Sequence, residues 1–288
     1  MLDDGSLDTP AECLPQVIEI AHRAGDAIMA VYADLNPAVQ YKKDDSPLTH
    51  ADLASHRIIC DGLNALSPQI PVLSEESAEI PYEVRRTWQA FWLVDPLDGT
   101  KEFLNRNGEF TVNIALMRNG SPILGVVYAP AMGKTYFAAE GAGAARSELG
   151  VATSIRAAAI SNPSPRVVVS RLHGGGMDEM RIDLSKIGVD PDACQFVSMG
   201  SSLKFCLVAE GSADIYLRNG PTMEWDTAAA QCVLEMAGGS VSDLAGNRLA
   251  YNKPVLLNPG FLASATRLVP QPSAPRAAAN PAIKELGL

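Results

Sequence analysis

Apolar side chains recur at helical spacing early in the chain. Val17, Ile18, Ala21, Ala24, Ile28 and Val31 predict a helix over 17–31, because residues three and four apart share one helical face. A second helix is predicted over 51–66, with Leu53, Ile58, Ile59, Leu63 and Leu66 inward and Ser67-Pro68 ending it. The polar, turn-forming segment 42–47 between them reads as a loop. Short apolar runs at 70–74 and 91–94 predict buried strands. Residues 111–118 alternate, with Val112, Ile114 and Leu116 on one face, and Asn119-Gly120 turns the chain into 123–128, a β-hairpin signal.

The stretch 140–165 is rich in Ala, Gly, Ser and Pro, and a domain boundary is expected in its first half. Beyond it, 167–170 and 214–217 read as strands. A short helix is expected over 203–210, stopped by Gly211, and an amphipathic helix over 226–237, ended by Gly238-Gly239. The Pro- and Ala-rich segment 270–281 reads as a loose tail. Three parts are expected: an N-terminal α+β domain (1–148), a C-terminal α/β domain (149–265) and a tail (266–288). Strands and helices mix without strict alternation, which predicts a layered α/β or α+β architecture.

The 288 residues, 47% apolar and 19% charged, suit a globular protein with a substantial core. Asp and Glu outnumber Lys and Arg by 33 to 23, for a net charge of −10. This disfavours a general role on nucleic acid, though metal ions can reverse the charge locally for an anionic small substrate. The five cysteines form no Cys-x-x-Cys pair, which argues against zinc and a disulfide framework and fits a reducing cytoplasm. The acidic start has no apolar segment behind it, and no apolar run is long enough to cross a bilayer. A cytoplasmic protein is expected, with peripheral contact at the inner membrane left open. The sequence does not give the oligomeric state.

The most informative segment is Trp92-Leu-Val-Asp95-Pro-Leu-Asp98-Gly-Thr100-Lys-Glu-Phe103. An apolar strand delivers Asp95 at its end, and Pro96 keeps it from continuing regularly. Such a bend can aim Asp95, Asp98 and an intervening carbonyl at one point, an all-oxygen environment that suits magnesium. Gly99 and Thr100, opening a helix, would present backbone N–H groups to an anion such as phosphate. Taken alone, Asp-Pro and Asp-Gly are ordinary turn formers. Glu75, following a buried strand, and Asp226, opening an apolar helix, are likewise ordinary helix-start carboxylates when taken singly. Three carboxylate-bearing edges of core elements together favour a multinuclear metal site, because an uncompensated charge there is costly. Haloacid-dehalogenase-type phosphatases require Asp-x-Asp-Gly-Thr with the first Asp as nucleophile, and here, counting back from Asp98-Gly99-Thr100, Pro96 holds that first aspartate's place. A phospho-aspartate mechanism is therefore rejected.

From the first helix to about Phe261 the chain resembles the inositol monophosphatase superfamily of magnesium-dependent, lithium-sensitive phosphatases. Residues 92–105 fit its first signature, and 225–239, with a Trp-Asp-x-Ala-Ala start and a Gly-Gly end, fit its second. The resemblance implies a layered αβαβα sandwich. Lys101-Glu102 before Phe103, with 109–116 and 200–211, resembles the 3'(2'),5'-bisphosphate nucleotidase branch in its bacterial form. That branch implies hydrolysis of 3'-phosphoadenosine 5'-phosphate, with 3'-phosphoadenylyl sulfate a further substrate, and a place in sulfate assimilation.

The resemblance also implies roles. Glu75, Asp95 and the Leu97 carbonyl would hold a first Mg2+, and Asp95, Asp98 and Asp226 a second, with Glu75 helping a third through water. Asp52, in Thr49-His50-Ala51-Asp52, would act with Thr100 to orient and deprotonate the attacking water. Substrate would lie against Glu75, Leu97, Asp98, Gly99, Thr100 and Asp226. Ser201, Lys204, Arg218 and His173, the last in Ser170-Arg171-Leu172-His173, would recognise the rest of the nucleotide. Solvated or ion-paired side chains are the other reading for Lys204, Arg218 and His173. An inositol or broad sugar-phosphate phosphatase competes within the same chemistry, and an inactive nucleotide-binding protein competes from outside it.

Overall fold

The computed structural model describes residues 9–34, 39–41, 47–158, 164–170, 177–266 and 268. The first periodic segment is helix α1 (Pro10–Tyr32). A short antiparallel pair, β1 (Val39–Tyr41) and β2 (Pro47–Thr49), leads into α2 (His50–Leu66). Strand β3 (Val72–Ser74), helix α3 (Tyr82–Arg85), strand β4 (Ala90–Asp98) and helix α4 (Thr100–Leu104) follow. Next come β5 (Thr111–Arg118), β6 (Ser121–Ala129), β7 (Lys134–Ala139), β8 (Gly143–Glu148) and β9 (Val151–Ser154). Strands β3 to β9 form a seven-stranded sheet in chain order, in which only the β3–β4 pair is parallel.

The rest of the chain builds a five-stranded sheet from β10 (Arg166–Val169), β11 (Gln195–Ser198), β12 (Ile215–Arg218), β13 (Ser240–Asp243) and β14 (Phe261–Ser264). Its order is β11-β10-β12-β14-β13, with β10 parallel to both neighbours. Helices α5 (Met177–Lys186), α6 (Leu203–Ala209) and α7 (Glu224–Met236) pack against it or between the sheets.

Period-2 alternation explains the layering. On β4, Trp92 and Val94 join the core under α1 and α2, whereas Phe91 and Leu93 join the core shared with α6 and α7. On the second sheet, Tyr216, Phe261 and Ala263 face that shared core, while Val167, Ile215, Leu217 and Leu262 meet Leu184 and Ile187 at α5. The result is the αβαβα sandwich, with α6 and α7 as its middle layer.

The hairpin at Asn119-Gly120 forms as expected, both residues taking positive φ (50° and 73°) between paired Arg118 and Ser121. Helix α7 differs from the amphipathic helix expected: its residues from Thr227 to Leu234 are buried all round, because it lies between two sheets and has no face toward solvent. The seven-stranded sheet includes β9, a few residues past position 148. The 270–281 segment and most of the 42–47 loop fall outside the described residues. Among the described residues no helix is long and apolar enough to cross a membrane.

Strand β6 meets α7 so closely that a Cβ on Gly125 would sit 2.3 Å from the Ala229 carbonyl oxygen. Gly125→Val is therefore expected to destabilise the fold by about 1–3 kcal/mol, read as a lower urea midpoint. An unchanged midpoint would contradict this seating of the helix.

Candidate active site

The site begins with an irregularity in β4. Asp95 pairs with Asn113 and Asp98 with Thr111, so three steps on β4 match two on β5. A bulge at Pro96-Leu97 absorbs the extra residue and re-aims the strand end, in line with the break expected at Pro96. The Pro96 carbonyl is held by the Ser55 hydroxyl at 2.7 Å. Asp95 is buried, and its Oδ1 accepts the Leu97 N–H at 3.0 Å. Gly99 then takes a left-handed conformation (φ 91°) as the residue before α4, which glycine adopts without steric penalty.

Thr100, first in α4, lies 3.4 Å from Oδ1 of Asp52 through its hydroxyl. The other oxygen of Asp52 accepts the Thr49 N–H (2.8 Å) and hydroxyl (2.6 Å), closing a capping box at the start of α2. Asp52 is 2% exposed, so its orientation is set by the helix start.

Glu75 follows β3 in a 3-10 turn and is in hydrogen-bond contact with Asp95. Asp226 sits in the first turn of α7, and its Oδ2 accepts the Met223 N–H at 2.8 Å. Burial, then the charges of Glu75, Asp98 and Asp226, push the Asp95 pKa well above the ordinary carboxylate range. Asp226 belongs to a half-buried residue, yet its carboxyl is packed among protein groups; loss of water and then the Asp98 charge raise its pKa well above normal.

Across from these carboxylates, the turn between β11 and α6 presents Ser201 in a left-handed conformation (φ 54°). Its hydroxyl lies 2.5 Å from Oδ2 of Asp98. Lys204 is 6% exposed, donates to the Ser201 carbonyl at 2.6 Å and lies over the Tyr216 ring. Burial lowers its pKa to about 8 from an ordinary 10.5. Arg218 donates to the Ser170 hydroxyl at 2.9 Å, and its buried Nε has no partner among the described residues. One pocket is lined by Asp98, Gly99, Ser201, Lys204, Arg218 and Asp226, with Phe205, Tyr216 and Phe261 also in its wall.

The structure thus brings together Glu75, Asp95, Asp98 and Asp226, sets Asp52 against Thr100, and places Ser201, Lys204 and Arg218 in the adjoining pocket. Among the described residues Lys204 is buried and forms no ion pair, and its hydrogen bonds go to backbone carbonyls. His173 lies outside the described residues. Sequence reasoning missed Thr111 and Asn113, buried polar residues that approach Asp98. Their signal was a pair of polar residues, at 111 and 113, on one face of an otherwise apolar strand. It also missed Thr222 and Pro221 at the pocket wall, for which the sequence carries no comparable signal.

No three His, Cys, Asp or Glu side chains among the described residues already converge as a finished ligand set. The donor set nevertheless fits a hard divalent cation. It consists of carboxylates, with the Leu97 carbonyl between Asp95 and Asp98 in the chain, and such a cation relieves the cost of burial and of mutual repulsion that together raise the Asp95 and Asp226 pKa values.

The chain belongs to the inositol monophosphatase family, whose model, described as "Inositol monophosphatase family", matches residues 10–283. It is 53% identical over 253 residues to the 3'(2'),5'-bisphosphate nucleotidase CysQ of Escherichia coli K12, covering 87% of this chain and 99% of that one. The protein of the same name from Salmonella typhimurium LT2 is 52% identical over 251 residues, covering 86% and 98%. Among solved structures, CysQ from Bacteroides thetaiotaomicron, described as a bacterial member of the inositol monophosphatase family, superposes with a TM-score of 0.77. That match has 40% identity and covers 90% of this chain and 98% of the other.

The burial of Lys204 predicts that its amine, followed by NMR of the side-chain carbon next to nitrogen, titrates near pH 8. A midpoint at the ordinary lysine value would place it in water rather than in the pocket wall.

Proposed function

We propose that the chain is a Mg2+-dependent 3'(2'),5'-bisphosphate nucleotidase that hydrolyses 3'-phosphoadenosine 5'-phosphate to AMP and phosphate. The observation that carries this reading is one pocket in which Asp98 and Asp226 share the wall with Lys204 and Arg218. A substrate with two phosphates needs two anion-binding ends. The carboxylate end serves one phosphate through cations, and the Lys204–Arg218 end serves the other directly. An uncharged polyol ring gives the buried Lys204 and the half-buried Arg218 nothing to neutralise, which weighs against an inositol monophosphate. Relatives above 50% identity over nearly their whole length carry the nucleotidase name.

Two or three Mg2+ ions among Glu75, Asp95, the Leu97 carbonyl, Asp98 and Asp226 would neutralise phosphate charge and make water more acidic. The chain's own residues supply orientation and proton transfer. Asp52, with Oδ2 committed to Thr49, offers Oδ1 to the Thr100 hydroxyl. Thr100 can then accept a proton from the attacking water while passing its own to Asp52. The water oxygen bonds to phosphorus, the phosphorus–oxygen bond to the ribose breaks, and the ribose oxygen takes a proton from solvent water, which is restored when Asp52 releases the proton it accepted. Lys204 and Arg218 hold the remaining phosphate, and Ser170 steadies the guanidinium.

The test is phosphate release from 3'-phosphoadenosine 5'-phosphate, inositol 1-phosphate and fructose 1,6-bisphosphate, with Mg2+ and then with EDTA. Strong preference for the nucleotide, abolished by EDTA, is expected. Preference for inositol phosphate would overturn the substrate, and no release from any of them would point to a binding protein. Asp52→Asn should lower kcat roughly 100-fold or more while nucleotide affinity stays near the wild-type value. Retained turnover would remove Asp52 from the proton path.

A further inference from the structure

Ser202 is 2% exposed and donates both its N–H (2.6 Å) and its hydroxyl (2.8 Å) toward Oδ2 of Asp98. The same hydroxyl oxygen lies 2.8 Å from the Asp226 carbonyl and 2.9 Å from the Asn113 amide nitrogen. One small side chain therefore touches three carriers of the site: the bulged end of β4, the start of β5 and the first turn of α7. Every hydrogen bond that Asp98 makes among the described residues falls on Oδ2. Ser201 and Ser202 donate at 2.5 to 2.8 Å, and Thr111 and Asn113 approach at 3.4 Å. Oδ1 is left for another partner, and the plane of the carboxylate is fixed by donors behind it.

The turn that carries Ser202 is itself braced. Gly200 donates its N–H to the buried Glu109 carboxylate at 2.8 Å, and a Cβ on Gly200 would sit 2.8 Å from the Glu109 carbonyl oxygen. The left-handed Ser201 between Gly200 and Ser202 is a conformation that persists only where its surroundings enforce it. A bracket this tightly held can orient a ligand, because groups behind a metal's ligands set their direction and govern affinity.

We propose that Ser202 is a positioning residue: its hydroxyl, whose one proton is shared between Asp98 Oδ2 and the Asp226 carbonyl, fixes Asp98 for a divalent cation and holds it beside the first turn of α7. The affinity of the metal site therefore depends on that hydroxyl. This rests on the metal-dependent reading above and adds to it a residue of the pocket wall that acts on the cation through Asp98.

The experiment titrates Mn2+, alone and without substrate, into the full chain, reading free ion by electron paramagnetic resonance. Wild type, Ser202→Ala and Ser202→Thr are compared. Ser202→Ala is expected to bind Mn2+ about 10-fold or more weakly, and Ser202→Thr, which restores the hydroxyl, to return close to wild type. Wild-type affinity in Ser202→Ala overturns the proposal, as does a loss that Ser202→Thr leaves unrestored. A wild-type chain that binds no Mn2+ would instead sink the metal-dependent reading itself.

Discussion

Four carboxylates, those of Glu75, Asp95, Asp98 and Asp226, are gathered where the seven-stranded sheet, its β3 turn and the start of α7 meet. Like charges this close raise the energy of the ionised site, and burial of Asp95 and Asp226 adds to it. The surrounding fold offsets part of that penalty. The bulge at Pro96-Leu97 turns a backbone N–H toward Asp95, and the turn before α6 brings Ser201 and Ser202 to Asp98. What remains uncompensated is negative charge, which on the proposed reading a divalent cation would neutralise.

Helix α7 has to enter this cluster from the middle layer, and its entry is locked from outside. Glu224, fully buried, accepts from the Asn252 and Lys253 N–H groups and from the Lys253 amine at 2.6 Å. Arg85, at the end of α3, donates to the Asn252 side chain and to the Lys253 carbonyl. A buried ion pair of this kind contributes less to net stability than to fixing one arrangement, since breaking it leaves an unpaired charge. Here the arrangement fixed is the register of α7, and with it the place of Asp226 opposite β4. The close contact of Gly125 with Ala229 fixes the same helix from its other side.

Elements with a strong local signal could be read from the sequence. Asn119-Gly120 announced its hairpin, and Gly211 and Gly238 ended their helices with positive φ. Strands β8 and β9 gave no such signal, because the Gly-Ala-Ala-Arg of β8 lacks β-branched residues and its pairing comes from its neighbours β7 and β9. The extension of β4 through Pro96 was equally hidden. A proline ordinarily ends a ladder, and only the partner strand shows that pairing resumes at Asp98. The burial of Lys204 depends on the second sheet packing over α6, which no window of sequence reports. The metal-site candidates were recognised from two signatures at long separation. The residues behind them, Thr111, Asn113 and Ser202, meet the aspartates only where three elements come into contact.

One regularity explains why local sequence patterns could not separate a structural aspartate from a functional one. In each of the four central aspartates, one oxygen accepts a backbone N–H: Thr49 for Asp52 (2.8 Å), Leu97 for Asp95 (3.0 Å), Ser202 for Asp98 (2.6 Å) and Met223 for Asp226 (2.8 Å). Two of these are helix-start contacts of the kind that any globular protein uses. Capping and chemistry are therefore not competing explanations for the same residue. A carboxylate has two oxygens, and tying one to the backbone removes the rotational freedom of the other. An aspartate whose torsions are already fixed loses little entropy when it takes a ligand, so on the proposed reading a helix cap at the edge of the cluster also pre-orients a ligand for the cation.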